Sequence, residues 1–239
     1  AGATLVFAMA NSAHSDLHKP IAIERIEIFP VRYPTVMYFK FFEGPTGMGR
    51  AAVIIKITAS DGSVGWGESV PVPRWSHETL EGATAAIDKY LKPVLIGKNP
   101  FDLEAIHDAM NKEIANSFST GAPITKAGID IALHDLMGRA SGLNIAELWG
   151  RTTPDDLLLS WTLNPKTLEE LPGLLQKGKD RGFQNFNVKV APDTEFDLAM
   201  CRTVRELAPE TFLWADANGG YDLATALAVA PKLADAGVD

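Results

Sequence analysis

The sequence predicts an α+β domain followed by a parallel section of alternating strands and helices, and three observations carry that expectation. Strand patterns mark Ile21 to Val31, Ala51 to Ala59 and Val64 to Ser69, and helical patterns follow up to Ser141. Beyond Gly150, strand and helix patterns alternate in three consecutive βα units, which implies parallel strands joined by right-handed crossovers. The expected organisation is a leading tail over 1–19, an α+β domain over 20–150 and a βα domain over 151–239.

In the first domain, Ile21 to Val31 reads as a strand, and Ala51 to Ala59 as another in which Val53, Ile55 and Ile57 alternate against Ile54, Lys56 and Thr58. Asp61-Gly62 is a hairpin turn signal, after which Val64 to Ser69 completes an antiparallel meander. The connection from Tyr33 to Arg50 is aromatic-rich and long for a hairpin; it is either a functional loop or an ordinary surface loop. Helices are expected at about Ser76 to Leu91, Phe101 to Asn116 and Pro123 to Ser141, the last opening on proline and stopping before Gly142.

In the second domain, Leu157 to Thr162 reads as an apolar strand, and Thr167 with Glu170 as a capping box for a helix bearing Leu168, Leu171 and Leu175. Asn185 to Val190 is the next strand, and the helix after it presents Phe196, Met200, Val204 and Leu207 at helical spacing. Phe212 to Asn218 is the third strand. A helix from about Asp222 follows, with Leu223, Leu227, Ala230 and Ala234 on its expected inner side and a kink at Pro231.

Composition narrows the function classes. With 239 residues, 46% hydrophobic and a mean hydropathy of +0.01, the chain can bury a sizeable core. A formal charge of −8 offers no basic stripe to follow a phosphate backbone, so small molecules are the expected partners and nucleic acid is not. Cys201 is the single cysteine, which excludes an internal disulfide and a thiolate metal cluster. No apolar run approaches the roughly 20 residues that span a bilayer, so no membrane partner is expected. Residues 1–13 hold a short apolar run that is either a signal-peptide remnant, implying export, or a tail, implying a cytoplasmic protein.

The chemistry is expected at the carboxyl ends of the parallel strands. Alternation puts Asn185, Asn187 and Lys189 on one face of their strand, and Trp214, Asp216 and Asn218 on one face of the next. Both faces of a parallel sheet are normally buried, and an unpaired buried Lys or Asp costs several kcal/mol, so such groups line a cavity or pair with each other. The residues alone leave open whether Lys189 and Asp216 form a functional pair or a simple salt bridge that caps the sheet. His134 and Asp135 are helix neighbours pointing about 100° apart, which favours structural roles. His77 and His107 have no ligand-spaced partner, and Cys201 fits a packed thiol.

Four motifs carry a resemblance. The stretch from Lys126 to Gly150 (KAGIDIALHDLMGRASGLNIAELWG), GWGES near Trp66, NVKV over 187–190 and WADANGGY over 214–221 resemble the mandelate racemase/muconate lactonizing enzyme family of the enolase superfamily, from about Ile21 to Asp239. The resemblance implies an α+β capping domain followed by an incomplete (β/α)8 TIM-like barrel, of which the first three βα units are present. It implies Mg²⁺ as cofactor, Asp216 as one metal ligand, and Lys189 as the base that removes or returns the proton beside a substrate carboxylate. Lysine suits the task because burial near a dication lowers an amine's pKa toward neutrality. The family's first motif lysine is replaced by Asn187, which still donates a hydrogen bond; Asn187 and Asn218 are expected to bind substrate or to buttress the groups that do. Glu43 is the candidate for a loop that closes over the substrate.

The implied activity is Mg²⁺-dependent abstraction of the proton α to a carboxylate, by a racemase, epimerase or cycloisomerase. A sugar-acid dehydratase of the same superfamily is the alternative. A noncatalytic carboxylate-binding protein is the rival of another class. The full-length protein is expected to be a homo-oligomer. The chain itself is expected to be inactive and prone to association, because one carboxylate is too little for a hard cation and an open section leaves exposed helix faces.

Overall fold

The computed structural model describes residues 21–35, 49–116, 120–153 and 157–239. The chain divides into two compact units, Ala1–Thr153 and Pro154–Asp239. Glu43 and residues 1–13 lie outside the described residues.

In the first unit, strands β1 (Ile23–Tyr33), β2 (Arg50–Ala59) and β3 (Val64–Ser69) form an antiparallel sheet in the order β1-β2-β3. Gly62, at φ +87°, completes the β2–β3 hairpin by donating its N–H to the Ala59 carbonyl at 2.9 Å. The inner face presents Ile26, Val53, Ile55, Ile57 and Ala59, all fully buried. Instead of one helix over Ser76 to Leu91, the chain forms α1 (Pro73–Ser76), then α2 (Leu80–Ala86), a π-helical stretch Ile87–Leu91 and α3 (Lys92–Leu95). The break follows from His77, which is left-handed at φ 61°, and from Thr79, whose hydroxyl caps the restarted helix by accepting Gly82 N–H at 3.0 Å.

Helix α4 (Leu103–Glu113) precedes α5 (Pro123–Ser141), whose bounds are those set by Pro123 and by Gly142 at φ 69°. Helix α5 carries Ile129, Ala132, Leu133 and Leu136 into the core. Glu78 caps it from a distant loop, its two carboxylate oxygens accepting Ile124 N–H at 2.8 Å and Thr125 N–H at 2.9 Å. A short α6 (Ile145–Leu148) follows, closed by a capping box of Asn144 and Glu147.

The second unit is a parallel sheet in the order β4-β5-β6, with β4 (Ser160–Leu163), β5 (Asn185–Lys189) and β6 (Leu213–Asp216). Helices α7 (Leu171–Asp180), α8 (Thr194–Leu207) and α9 (Leu223–Asp235) follow the three strands in turn. Leu171, Leu175, Phe186, Val188, Met200, Val204 and Leu213 form the core between them.

Three expectations fail here, each for a physical reason. Strand β4 starts at Ser160, paired with Asn185, and Leu157, Leu158 and Leu159 stay 77%, 79% and 61% exposed. Hydrophobicity favoured them, but β5 begins at Asn185 and offers them no partner. Thr167 makes no side-chain cap; Glu170 reaches past it to accept Lys166 N–H at 2.8 Å, and a 3₁₀ turn, Leu168–Glu170, leads into α7. Finally, α9 is apolar almost all round, so periodicity could not choose its inner face. Val229 and Ala236 are buried with Leu233 packed beside them, whereas Leu223 and Leu227 are 76% and 70% exposed and Ala230 and Ala234 are also exposed. Helix α9 runs through Pro231 without interruption of its helical span. No helix among the described residues is long and apolar enough to cross a membrane.

Candidate active site

The register of β5 against β6 sets Lys189 opposite Asp216, and Asn187 opposite Trp214. Parallel pairing keeps laterally matched residues on the same face, so the Lys189 and Asp216 side chains leave the sheet together. The Lys189 ammonium donates to Asp216 Oδ2 at 2.6 Å and to Asn218 Oδ1 at 3.0 Å. Asn218, left-handed at φ 48°, curls back so that its own N–H donates to Asp216 Oδ1 at 2.8 Å. Three side chains from two strand ends thus form one hydrogen-bonded cluster. Its members are not equally wet: the Lys189 side chain is 10% exposed and that of Asp216 26%.

Burial pulls the Asp216 carboxyl upward, yet the hydrogen bond from Lys189, the Asn218 N–H and the Lys189 charge outweigh it and hold the group below the ordinary carboxylate range. Asn187 lies one alternation earlier on the same face of β5 and is buried, 3% exposed. Trp214, beside it, donates its indole N–H to Ser160 Oγ at 3.2 Å, so the polar face continues onto β4. Asn164, just past β4 on that same alternation, has a buried Nδ2 with no partner among the described residues. It was not among the residues singled out from sequence, although the period that marked Lys189 also marks it.

The other candidates fall elsewhere. His134 and Asp135 diverge: His134 Nδ1 lies 2.9 Å from the Asp130 carbonyl, while Asp135 accepts Trp66 N–H at 2.8 Å and pairs with Arg139. His107 Nε2 lies 2.7 Å from Asp130 Oδ1, so Asp130 sits between two imidazoles on the first unit. Cys201 is buried, and burial together with the nearby Asp197 charge pushes its thiol up to about 12, which leaves it inert as a nucleophile.

A divalent cation fits this cluster poorly as it stands. Asp216 contributes the one carboxylate, and both of its oxygens already accept hydrogen bonds. Among the described residues no set of three or more His, Cys, Asp or Glu side chains is arranged to hold a metal ion. A hard cation takes six or more oxygen ligands and usually more than one carboxylate.

Comparison with known proteins gives this geometry a setting. Residues 32–150 match the family model described as mandelate racemase/muconate lactonizing enzyme, N-terminal domain, and residues 172–239 match the enolase C-terminal domain-like model. The chain is 35% identical over 215 residues to a chloromuconate cycloisomerase of Delftia acidovorans, covering 88% of this chain and 55% of that protein. It is 28% identical to the N-succinyl-L-Arg/Lys racemase of Bacillus cereus, covering 83% and 53%. Among solved structures, the muconate lactonizing enzyme of Pseudomonas putida aligns with a TM-score of 0.78 at 28% identity, over 91% of this chain and 58% of that one. The chain therefore spans about half the length of the curated relatives it matches. Sequence motifs, both domain matches and the structural alignments agree: the chain belongs to the mandelate racemase/muconate lactonizing enzyme family of the enolase superfamily.

Proposed function

We propose that this chain supplies part of the active site of an enzyme that abstracts the proton α to a substrate carboxylate, acting as a racemase, epimerase or cycloisomerase. The observation that carries the reading is the contact of Lys189 with Asp216 and Asn218 at the carboxyl ends of adjacent parallel strands, where α/β proteins bind ligands. Similar proteins with those three activities support it: chloromuconate cycloisomerase, N-succinyl-L-Arg/Lys racemase and L-Ala-D/L-Glu epimerase.

In this reading residues 20–150 are the capping domain, and the three βα units are a section of a (β/α)8 barrel. Lys189 is the acid–base group. The ammonium form protonates one face of an enolate-like carbon, and the reverse step uses the uncharged amine. Asn218 and Asp216 fix the ammonium in one orientation, and Asn187 offers an amide to a substrate oxygen. Mg²⁺ belongs to the proposal only for a protein that supplies further ligands; Asp216 would be one of them, and the ion would stabilise negative charge on the substrate carboxylate.

The test is solvent deuterium exchange at the α-carbon of N-succinyl-L-lysine and of L-Ala-L-Glu, using full-length protein with and without Mg²⁺. Exchange that falls by about 10²-fold or more in Lys189→Ala supports the reading. Exchange unaffected by that substitution removes Lys189 from the chemistry. Carboxylate binding without exchange on any substrate favours a noncatalytic protein, the reading that Asn187 in place of a lysine would suit.

A further inference from the structure

Behind the cluster lies a buried carboxylate that the reaction does not use. Asp197, in the first turn of α8, is 2% exposed, and one of its oxygens, Oδ2, accepts two hydrogen bonds: from Ala191 N–H at 2.7 Å and from the Tyr221 hydroxyl at 2.5 Å. Ala191 comes two residues after Lys189, and Tyr221 three after Asn218. Burying a carboxylate is expensive unless donors compensate it, and here both donors come from the turns that carry the cluster.

The two turns are fitted to each other at this point. Ala191 is left-handed at φ 73°, a conformation that an alanine adopts at a cost and that needs local support. Gly220 lies so close that a Cβ there would sit 2.7 Å from the Ala191 Cβ, so the approach of the turns requires glycine. Val190 N–H donates to the Asp216 carbonyl at 3.1 Å, a backbone link between the ends of the two strands. Beyond that link, Asp197 Oδ2 joins the two turns by accepting from one group of each, and the Ala191 N–H also acts on the Tyr221 hydroxyl that shares this carboxylate. Burial and the Asp197 charge together raise the Tyr221 hydroxyl above its ordinary range, as expected of a phenol held as a donor to a carboxylate.

We propose that Asp197 is a positioning residue: by gripping Ala191 N–H and the Tyr221 hydroxyl with one buried oxygen, it ties the turn after Lys189 to the turn after Asp216 and fixes the geometry of the Lys189–Asp216–Asn218 cluster. The inference rests on the reading of Lys189 as the acid–base group for its functional meaning, but its structural part does not. The role belongs to Asp197 because its two donors come from separate turns, whereas a carboxylate that only capped α8 would bind within its own helix; that capping role is already filled by Asp193, which accepts Phe196 N–H at 3.1 Å.

The experiment has two arms. On the 239-residue chain, the rate at which acetic anhydride acylates Lys189 is read by peptide mass spectrometry against the other lysines. Tyr221→Phe, which removes a single hydroxyl, should raise the Lys189 rate about fivefold, the factor one hydrogen bond carries. Asp197→Asn should raise it at least as much. Val204→Ala, a cavity in the same core without a link to either turn, should leave it within about twofold of the parent rate. Equal rates in Tyr221→Phe and the parent, or an equal rise in Val204→Ala, overturn the proposal. Should Asp197→Asn fail to fold, Tyr221→Phe alone decides. In the full-length protein, Tyr221→Phe should lower kcat for α-proton exchange about fivefold with KM unchanged; a change confined to KM also overturns it. If Lys189→Ala leaves exchange intact, the acid–base reading falls, while the acylation result still judges whether Asp197 orders the cluster.

Discussion

A Cβ on Gly65 would stand 2.1 Å from the Ala132 carbonyl oxygen, which means that β3 and α5 meet backbone to backbone. Gly67 makes the same approach to the Gly128 carbonyl, also at 2.1 Å. Neither neighbour can yield, because both belong to the ladder of α5. Gly65→Ala is therefore expected to destabilise the first unit by roughly 3 kcal/mol or more, as overpacked cores do at their worst. Urea unfolding followed by circular dichroism measures it, and a loss below about 1 kcal/mol would show that the helix can slide away.

Placing a lysine at position 187 should not be benign in this chain. Asn187 is 3% exposed and shares its strand face with Lys189, whose ammonium already occupies the Asp216 and Asn218 oxygens. Asn187→Lys is expected to cost roughly 1–3 kcal/mol, because a second cation enters a buried site with no acid to spare. Chemical denaturation of the two chains side by side is the check; equal stability would mean that the new side chain escapes to solvent.

Arg205 closes the far end of the second unit. Its guanidinium donates to the carbonyls of Gly237, Pro209 and Thr211 and to Asp239 Oδ2, gathering the approach to β6 and the chain after α9 around one side chain. A lysine has neither the donors nor the planar fork to hold those groups together. Arg205→Lys should cost roughly 1–3 kcal/mol of stability. Hydrogen exchange should localise the loss to residues 209–213 and 236–239; protection unchanged there would contradict the assignment.

The first unit should be most stable in mildly acidic solution. Hydrogen bonds from His107 and His134 hold the Asp130 carboxyl far below its ordinary value of 3.8, and the Asp130 hydrogen bond raises His134 above its ordinary 6.5. A depressed acid contributes stability above its unfolded value and loses it as pH falls toward the folded one. A raised histidine contributes below 6.5 and loses it as pH climbs through its folded value. Both contributions are present together between about 4 and 6.5. Thermal unfolding against pH should peak there, and Asp130→Asn should flatten the peak; a parent profile that rises steadily from pH 5 to pH 8 would refute the assignment.

What was legible in the sequence was whatever a single local rule controls. Proline at the first turn and glycine just beyond the last fixed α5, and the Asp61-Gly62 turn fixed the start of β3. Two-residue alternation was enough to set Lys189 and Asp216 on matching faces, since parallel register does the rest. The helix α8 shows where such rules stop. Its apolar stripe reads as Phe196, Met200, Val204 and Leu207, whereas the buried set is Asp197, Met200, Cys201 and Val204, and Leu207 is 42% exposed. The helix is turned so that a carboxylate points inward, because the Ala191 N–H and the Tyr221 hydroxyl wait there. No hydropathy pattern anticipates a polar group whose burial is repaid by donors from other turns. For the same reason Asp130 between two histidines was not foreseen.

The pairing of Lys189 with Asp216 rests on strand register, and register in a pleated sheet is an all-or-none property. Were β5 to slip by a single residue along β6, Lys189 would point to the helix-covered side and Val188 would take its place opposite Asp216. A misaligned conformer would thus lose the whole Lys189–Asp216–Asn218 cluster at once and leave Asp216 facing an apolar side chain.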